Sequence, residues 1–187
     1  DTTNWYTKSS DGDSSYGRTM SQLTGTLLLR LAEAPVLPFR FTDTAATFSR
    51  YIKELESLSS SKDVVVDLAP VRKGVQALPT SAADYEKAYD KLDQAKTAEL
   101  NGRKELQALN ALLLQTERKL GASDGLPRRA WFKHQVYAPG FYTGYGVKTM
   151  PQIREGLEER QPAEARQGVR KGATGMTALA EKGDAAA

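Results

Sequence analysis

The stretch LQALNALLLQTERKL, residues 106–120, decides the fold class. Its apolar side chains recur at i, i+3, i+7 and i+14, with a threonine at i+10, which places them on one face of an α-helix. Such a face suits packing against neighbouring helices at a shallow angle, so the stretch predicts part of a bundle core. An exposed partner-binding groove is the alternative. The face consists of Leu106, Leu109, Leu113, Thr116 and Leu120.

Two helices are predicted near the beginning of the chain. The first runs from about Ser14 to Ala34 and is stopped by Pro35 and Pro38, because proline lacks an N–H and disfavours helix at the preceding residue. The second begins at Thr42 or Asp43, whose side chain can cap free N–H groups, and ends in a polar break. The apolar stripes are Met20, Leu23, Leu27 and Leu31, then Ala45, Phe48, Ile52 and Leu55; the break is Ser57 to Lys62.

Two more helices are predicted between the polar break and the leucine-rich stretch. A short third helix starts at Asp67 with Pro70 in its first turn, and a fourth is capped by Thr80 or Ser81. An Asn-Gly pair can bend or interrupt the fourth helix. The inward residues are Val71, Val75 and Leu78 in the third helix and Tyr85, Ala88, Leu92 and Ala95 in the fourth; the pair is Asn101-Gly102.

Helical periodicity stops at Gly121, and residues 121–150 are rich in glycine, proline and aromatic side chains. Long ordered loops of this kind tend to be functional. A helix resumes near Pro151, with Ile153 and Leu157 inward. The last segment, residues 161–187, is expected to form a weak helix or tail, because each interior glycine costs about 1 kcal/mol. The prediction is one all-α domain over residues 1–187, an up-and-down helical bundle with one long aromatic, Gly/Pro-rich loop.

Composition excludes several classes of protein. The chain has 187 residues, no cysteine and a net charge of +3. Disulfide scaffolds and thiolate metal sites are therefore excluded. The charges are interspersed, which is typical of a solvated helical surface rather than of a nucleic-acid interface. No run approaches the 18 apolar residues of a membrane span, so no span is expected in this segment.

No group of residues forms a self-sufficient catalytic site. His134 is the single histidine, and a zinc site with one histidine and only carboxylates is rare, so a structural hydrogen-bonding role is expected. Gly140, Gly144 and Gly146 follow neither the Walker nor the dinucleotide-binding spacing; they indicate a tight loop instead. No catalytic residue and no metal ligand is predicted.

Three strings resemble a known family. They are RLAEAPVLPF at residues 30–39, GLPRRAWFKHQVYAP at residues 125–139 and GYGVKTMPQIRE at residues 144–155. Over about residues 1–157 the chain resembles the transferrin-receptor-like dimerisation domain. That domain is shared by the transferrin receptor and by zinc peptidases similar to glutamate carboxypeptidase II (prostate-specific membrane antigen). Bacterial relatives of those proteins carry very similar strings.

The resemblance implies a non-catalytic domain that pairs two subunits into a homodimer. Residues 121–150 would be a substrate-side loop over the cleft of a neighbouring peptidase domain, and residues 1–13 the link from that domain. In the family, the peptidase domain holds two zinc ions through His, Asp and Glu ligands. Asp1 matches the acid four residues after the last zinc-binding histidine, so this chain is expected to hold no ligand and no cofactor of its own.

The resemblance also assigns substrate contacts. Glutamate-cleaving members place a Lys-Tyr pair in the loop, which grips the terminal carboxylate of the substrate. Tyr145 matches the tyrosine, whereas Gly144 stands at the lysine position, so glutamate specificity is not implied. Lys148 is a second candidate for substrate contact.

Two other functions stay open. The parent protein could be receptor-like and lack peptidase activity, as the transferrin receptor does, or the chain could be a free-standing helical adaptor that binds a protein partner. Zinc ligands upstream, intact or substituted, would discriminate between enzyme and receptor. The implied partners are a second copy, the parent's peptidase domain and a peptide substrate, and the implied location is periplasmic or extracellular.

Overall fold

The computed structural model describes residues 2–92, 99 and 103–186, and within them the all-α prediction is confirmed. The order of elements is α1 (Thr3–Ser9), α2 (Ser15–Glu33), α3 (Thr42–Lys62), α4 (Ala69–Asp90), α5 (Lys104–Leu113), a 3₁₀ turn (Glu117–Leu120), β1 (Tyr137–Pro139), β2 (Val147–Thr149), α6 (Pro151–Glu158) and α7 (Pro162–Ala186). The two short strands pair with each other in antiparallel fashion. No helix of the described ranges is long and apolar enough to cross a membrane.

The core lies between α3, α4, α6 and α7. Phe48, Leu55, Val71, Leu157 and Met176 are fully buried there. A smaller cluster forms around Tyr85 and Leu113, against which Leu106 and Leu109 pack. The stripe of residues 106–120 therefore forms core rather than an exposed groove, although its helix ends at Leu113 and resumes as the 3₁₀ turn.

The prediction of two separate helices between Asp67 and Leu92 is wrong, because α4 is one helix with Pro79 inside it. Thr80 and Ser81 are interior residues rather than caps. The buried face runs through the proline without a break, from Val71 to Tyr85, and packs against α7. Burial of this face offsets the hydrogen bond that Pro79 cannot donate. The predicted positions Ala95 and Asn101-Gly102 lie outside the described residues.

The helix α3 extends through the predicted polar break to Lys62. Hydroxyl groups in the break donate back to carbonyl groups one turn earlier: Ser57 to Lys53 at 3.1 Å and Ser60 to Glu56 at 3.1 Å. The serines are therefore compatible with the helix.

A continuous helix of 25 residues, α7, stands where the sequence analysis expects a weak helix or tail. Its glycines lie at contacts with other elements. A Cβ added at Gly168 would lie 2.9 Å from Ile153 Cγ1, and one at Gly183 would lie 3.1 Å from Ser81 Cβ. The absence of side chains lets α7 approach its neighbours closely, and that packing offsets the low helix propensity of glycine.

The N-terminus of α3 is capped by a residue from another helix. The carboxylate of Glu86 on α4 accepts hydrogen bonds from the N–H groups of Phe41 (2.7 Å) and Thr42 (2.9 Å) and from the Thr42 hydroxyl. Thr42 and Asp43, the predicted caps, instead lie inside the helix. Burial raises the pKa of Glu86, but the hydrogen bonds from Thr42 and Phe41 outweigh it and hold the pKa below its usual value.

We expect Glu86→Gln to lower the free energy of unfolding by about 1–2 kcal/mol at pH 7, because the helix end loses a charged acceptor. Since the folded-state pKa is depressed, the stabilisation is fully present above the unfolded-state pKa of about 4.3 and is lost as pH falls through the folded-state value. Urea titrations of the two proteins should therefore converge at acid pH. Glu56→Gln, which breaks an exposed pair with Arg72, is the control. A difference that persists unchanged at acid pH would contradict this role.

Candidate functional site

The loop of residues 121–150 is integrated into the bundle at its base. Its backbone bonds back to the 3₁₀ turn, with Gln135 N–H donating to Leu120 O at 2.8 Å, and it closes on itself through Met150 N–H to Val136 O at 2.8 Å. The strands pair Tyr137 with Thr149, Ala138 with Lys148 and Pro139 with Val147. Several of its apolar side chains are buried, namely Leu126, Val136, Ala138 and Met150. The base of the loop is thus part of the core.

The tip between β1 and β2, residues 141–146, faces outward. The side chain of Tyr145 is fully exposed, at 106% of its reference area, and Tyr142 is also largely exposed. Gly144 has a φ of +59°, a left-handed conformation that glycine adopts without strain. A turn closes the tip through Gly140 N–H to Gly146 O at 3.0 Å. The structure therefore presents the Tyr145 phenol on a tight, outward-facing turn.

Lys148 has surroundings that differ from those of Tyr145. Its ammonium lies 2.6 and 2.8 Å from the two carboxylate oxygens of Glu158 on α6. Its side chain is mostly buried, and its stem crosses Gly140, where an added Cβ would lie 2.9 Å from Lys148 Cγ. Contact with a substrate would require this ion pair to open.

A buried ion pair supports the tip from below. Arg129 Nη2 lies 2.8 and 2.9 Å from the oxygens of Glu155, and the two side chains are 5% and 4% exposed. Glu155 Oε1 also accepts the N–H of Phe141 at 2.9 Å. The Arg128 guanidinium lies 4.4 Å from the centre of the Phe141 ring and pairs with Glu159 at 2.9 Å. Phe141, at the start of the tip, is thus held by both arginines.

Nothing in the sequence pattern assigns Arg128, Arg129, Glu155 or Glu158 to the site. Their charged partners lie between 10 and 36 residues away in the sequence, and no local pattern shows which charges are buried. The adjacency of two arginines in a loop of aromatic residues was the available signal, because guanidinium groups commonly stack on aromatic rings.

His134 has a structural role, as predicted. Its Nδ1 accepts the N–H groups of Val136 (3.2 Å) and Tyr137 (3.0 Å), and its Nε2 lies 2.8 Å from Glu117 Oε1. The ring stacks on Tyr137, whose pKa is raised to about 12 by burial and by a hydrogen bond with Tyr51. Both ring nitrogens are engaged within the protein.

The described residues do not fit a zinc site. Within residues 2–92, 99 and 103–186 no three His, Asp or Glu side chains lie close enough together to hold a metal ion. A zinc centre normally takes three or four such ligands. No chemical step at a metal is therefore assigned to this part of the chain.

The deciding comparison is with protein-family models. The model described as the transferrin receptor-like dimerisation domain matches residues 66–182, from just before α4 almost to the end of α7. The chain belongs to this family. The resemblance seen in the loop strings is thereby confirmed, and the family match covers the whole loop and the bundle helices from α4 onward, but not α3. In this dimerisation domain α1, α2 and α3 precede the matched region.

Curated relatives of the dimerisation domain are named as peptidases. A probable glutamate carboxypeptidase of Zea mays is 34% identical over 140 residues, and one of Arabidopsis thaliana is 29% identical over 139 residues. Each alignment covers 74% of this chain and 19% of the relative. An inactive zinc metalloprotease of Schizosaccharomyces pombe is 24% identical over 136 residues, 70% of this chain and 17% of that protein. The chain thus spans about a fifth of the length of these relatives.

Proposed function

We propose that this chain is the non-catalytic dimerisation and substrate-loop domain of a larger zinc-dependent exopeptidase of the glutamate carboxypeptidase type. The observation that carries the proposal is the loop, which is fixed at its base and exposes Tyr145 at its tip. Relatives of the domain named as probable glutamate carboxypeptidases support it. The two zinc ions would belong to the peptidase domain, and the whole protein would be exported.

The apolar face of α2 supports a partner for this part of the chain. None of the 19 residues of α2 is buried, and all of its large apolar side chains except Leu31 are more than half exposed. Such a face in a single helix indicates contact with another surface. Because α2 precedes the family match and, unlike α3, contributes no residue to the described core clusters, we propose that it packs against the peptidase domain of the same polypeptide. The exposed residues are Tyr16, Met20, Leu23, Leu27, Leu28 and Leu29.

Tyr145 is the proposed substrate contact, through a hydrogen bond from its phenol to the terminal carboxylate of a peptide. Gly144 offers no side chain at the neighbouring position, so a charged partner for an acidic terminal residue is missing there. Lys148 as a second substrate contact stays a prediction.

The kinetic test uses the full-length protein. Gly144→Lys is expected to lower the KM for peptides with an acidic C-terminal residue by about ten- to a hundredfold relative to Gly144→Ala, because a charge-assisted hydrogen bond contributes about 1.5–3 kcal/mol. The alanine variant is the matched control: position 144 has a positive φ and open space around it, so both variants carry the same backbone strain. Tyr145→Phe should raise the KM for any substrate with a free carboxylate. If Gly144→Lys leaves acidic and neutral substrates ranked as in the wild type, and Tyr145→Phe leaves the KM unchanged, the loop does not touch the substrate.

The same protein tests the dimerisation part of the proposal by sedimentation velocity at micromolar concentration. A monomer would contradict it. The second candidate function is a receptor-like protein without peptidase activity, which the inactive zinc metalloprotease among the relatives favours. A dimer that neither binds zinc after dialysis nor hydrolyses peptides would support that function over the first.

A further inference from the structure

We infer that Glu155 and Glu158 of α6 each fix one arm of the loop and thereby set the position of Tyr145. The inference deepens the proposed function and rests on it for the role of Tyr145. The contacts themselves can be tested without assuming that function. The helix α6 begins directly after β2, and positions three apart lie on neighbouring sites of a helix surface. The two carboxylates therefore face the loop that leads into their own helix.

The first arm is fixed by Glu155. Its carboxylate binds Arg129 through both oxygens, and Oε1 also accepts the N–H of Phe141. Phe141 is the residue at which the chain leaves the core and enters the exposed tip. The Arg128 guanidinium lies over the Phe141 ring. Phe141 is therefore held by its side chain as well as by its backbone N–H. The entry to the tip is therefore fixed by one hydrogen bond from the Phe141 N–H and one cation–π contact to the Phe141 ring.

The second arm is fixed by Glu158. Lys148 lies on β2 opposite Ala138, and its ammonium reaches both oxygens of Glu158 across the hairpin. The lysine stem passes over Gly140, so the two arms are also in contact with each other. Residues 141–147, between these attachments, are all exposed.

This arrangement makes Lys148 a positioning residue that acts on Tyr145 through the hairpin. A loop whose base is already ordered loses less conformational entropy when its tip meets a ligand. The ammonium of Lys148 forms an ion pair with Glu158, so it neutralises a carboxylate of its own chain rather than one of a substrate.

The test measures amide hydrogen exchange by NMR in this chain, without peptidase domain or substrate. Glu158→Gln and Lys148→Glu are each expected to speed exchange at Gly140 by about tenfold, the factor that corresponds to about 1.4 kcal/mol. The double variant Lys148→Glu with Glu158→Lys restores the ion pair in reverse and should restore slow exchange. Glu155→Gln should speed exchange at Phe141. Glu56→Gln, at an exposed ion pair between α3 and α4, is the matched control and should change neither amide.

The result that would overturn the inference is unchanged exchange at Gly140 in Lys148→Glu, or a double variant that remains as fast as the single one. Glu158 is partly exposed, so its variants test the inference even if Glu155→Gln fails to fold.

Kinetics of the full-length double variant separate positioning from contact. The positioning role predicts that Lys148→Glu raises the KM for peptide substrate and that the double variant returns it to the wild-type value. Restored slow exchange with a KM that stays raised would overturn it and return Lys148 to the substrate. Unchanged exchange rates would contradict this inference but not the proposed function. An unchanged KM in Tyr145→Phe would contradict the proposed substrate contact but not the inference that the loop is fixed by α6.

Discussion

Arg129→Met is expected to lower the free energy of unfolding by about 3–5 kcal/mol, the largest effect of a single substitution at the base of the loop. The substitution leaves the carboxylate of Glu155 buried without its countercharge, and an uncompensated buried charge costs about that much. Arg129 in turn has Glu155 as the acceptor for its Nη2, whereas its Nε and Nη1 are buried and meet no hydrogen-bond acceptor among the described protein atoms. Urea denaturation followed by far-UV circular dichroism measures the loss.

The control for this prediction removes both charges. Arg129→Met combined with Glu155→Leu should recover much of the lost stability, since an apolar pair of similar volume often replaces a buried ion pair at little cost. It should not recover all of it, because the N–H of Phe141 loses its acceptor. A loss below about 1 kcal/mol for Arg129→Met alone would show that the Glu155 carboxylate does not depend on Arg129 as its countercharge.

Gly156→Ala is expected to destabilise the bundle by about 3 kcal/mol, at the upper end of the usual cost of overpacking. The added Cβ would lie 2.6 Å from the backbone nitrogen of Ala165 and 2.9 Å from its Cα. Because the obstacle is backbone, α6 and α7 can relieve the contact only by moving apart. The loop is attached to α6 through Glu155 and Glu158, so a shift of α6 would also move the hairpin formed by β1 and β2. The midpoint of thermal unfolding should fall accordingly.

Gly25→Ala is the matched control for this glycine. Gly25 lies within α2 and an added Cβ would meet nothing within 4 Å. Alanine should there raise helix stability by about 0.5–1 kcal/mol, because glycine has the larger conformational entropy to lose. If Gly156→Ala and Gly25→Ala behave alike, the close approach of α6 and α7 is not maintained in solution.

Several helices could be read from the sequence because helical periodicity depends on local spacing. Phe48, Ile52 and Leu55 recur at helical intervals and are all buried on one face of α3. The change of character at Gly121 likewise marks the true end of the helical bundle's first part and the start of the loop. The same spacing could not reveal that the stripe on α2 has no counterpart in the described bundle, because a periodic pattern shows that a face is apolar but not what covers it.

The misread segments have a common cause. Pro79 and the glycines of α7 are poor helix formers when judged alone, and both lie in long helices because those helices bury a continuous face against each other. The cap on α3 comes from Glu86, 44 residues away from Thr42, where a local rule selects Thr42 itself. Packing energy summed over a helix exceeds a propensity difference of about 1–3 kcal/mol at one residue.

The sequence by itself determined the fold class, the extent of the loop and, through long specific strings, the family. Only the tertiary structure decided how the loop is held: that Glu155 binds Arg129 and Phe141, and that Glu158 takes the ammonium of Lys148. Periodicity and motifs depend on residues that are close together in the sequence, so they can be recognised without the structure. Charge pairing depends on which side chains meet after the chain has folded, and on the low dielectric in which they meet, and neither is written in the spacing of residues.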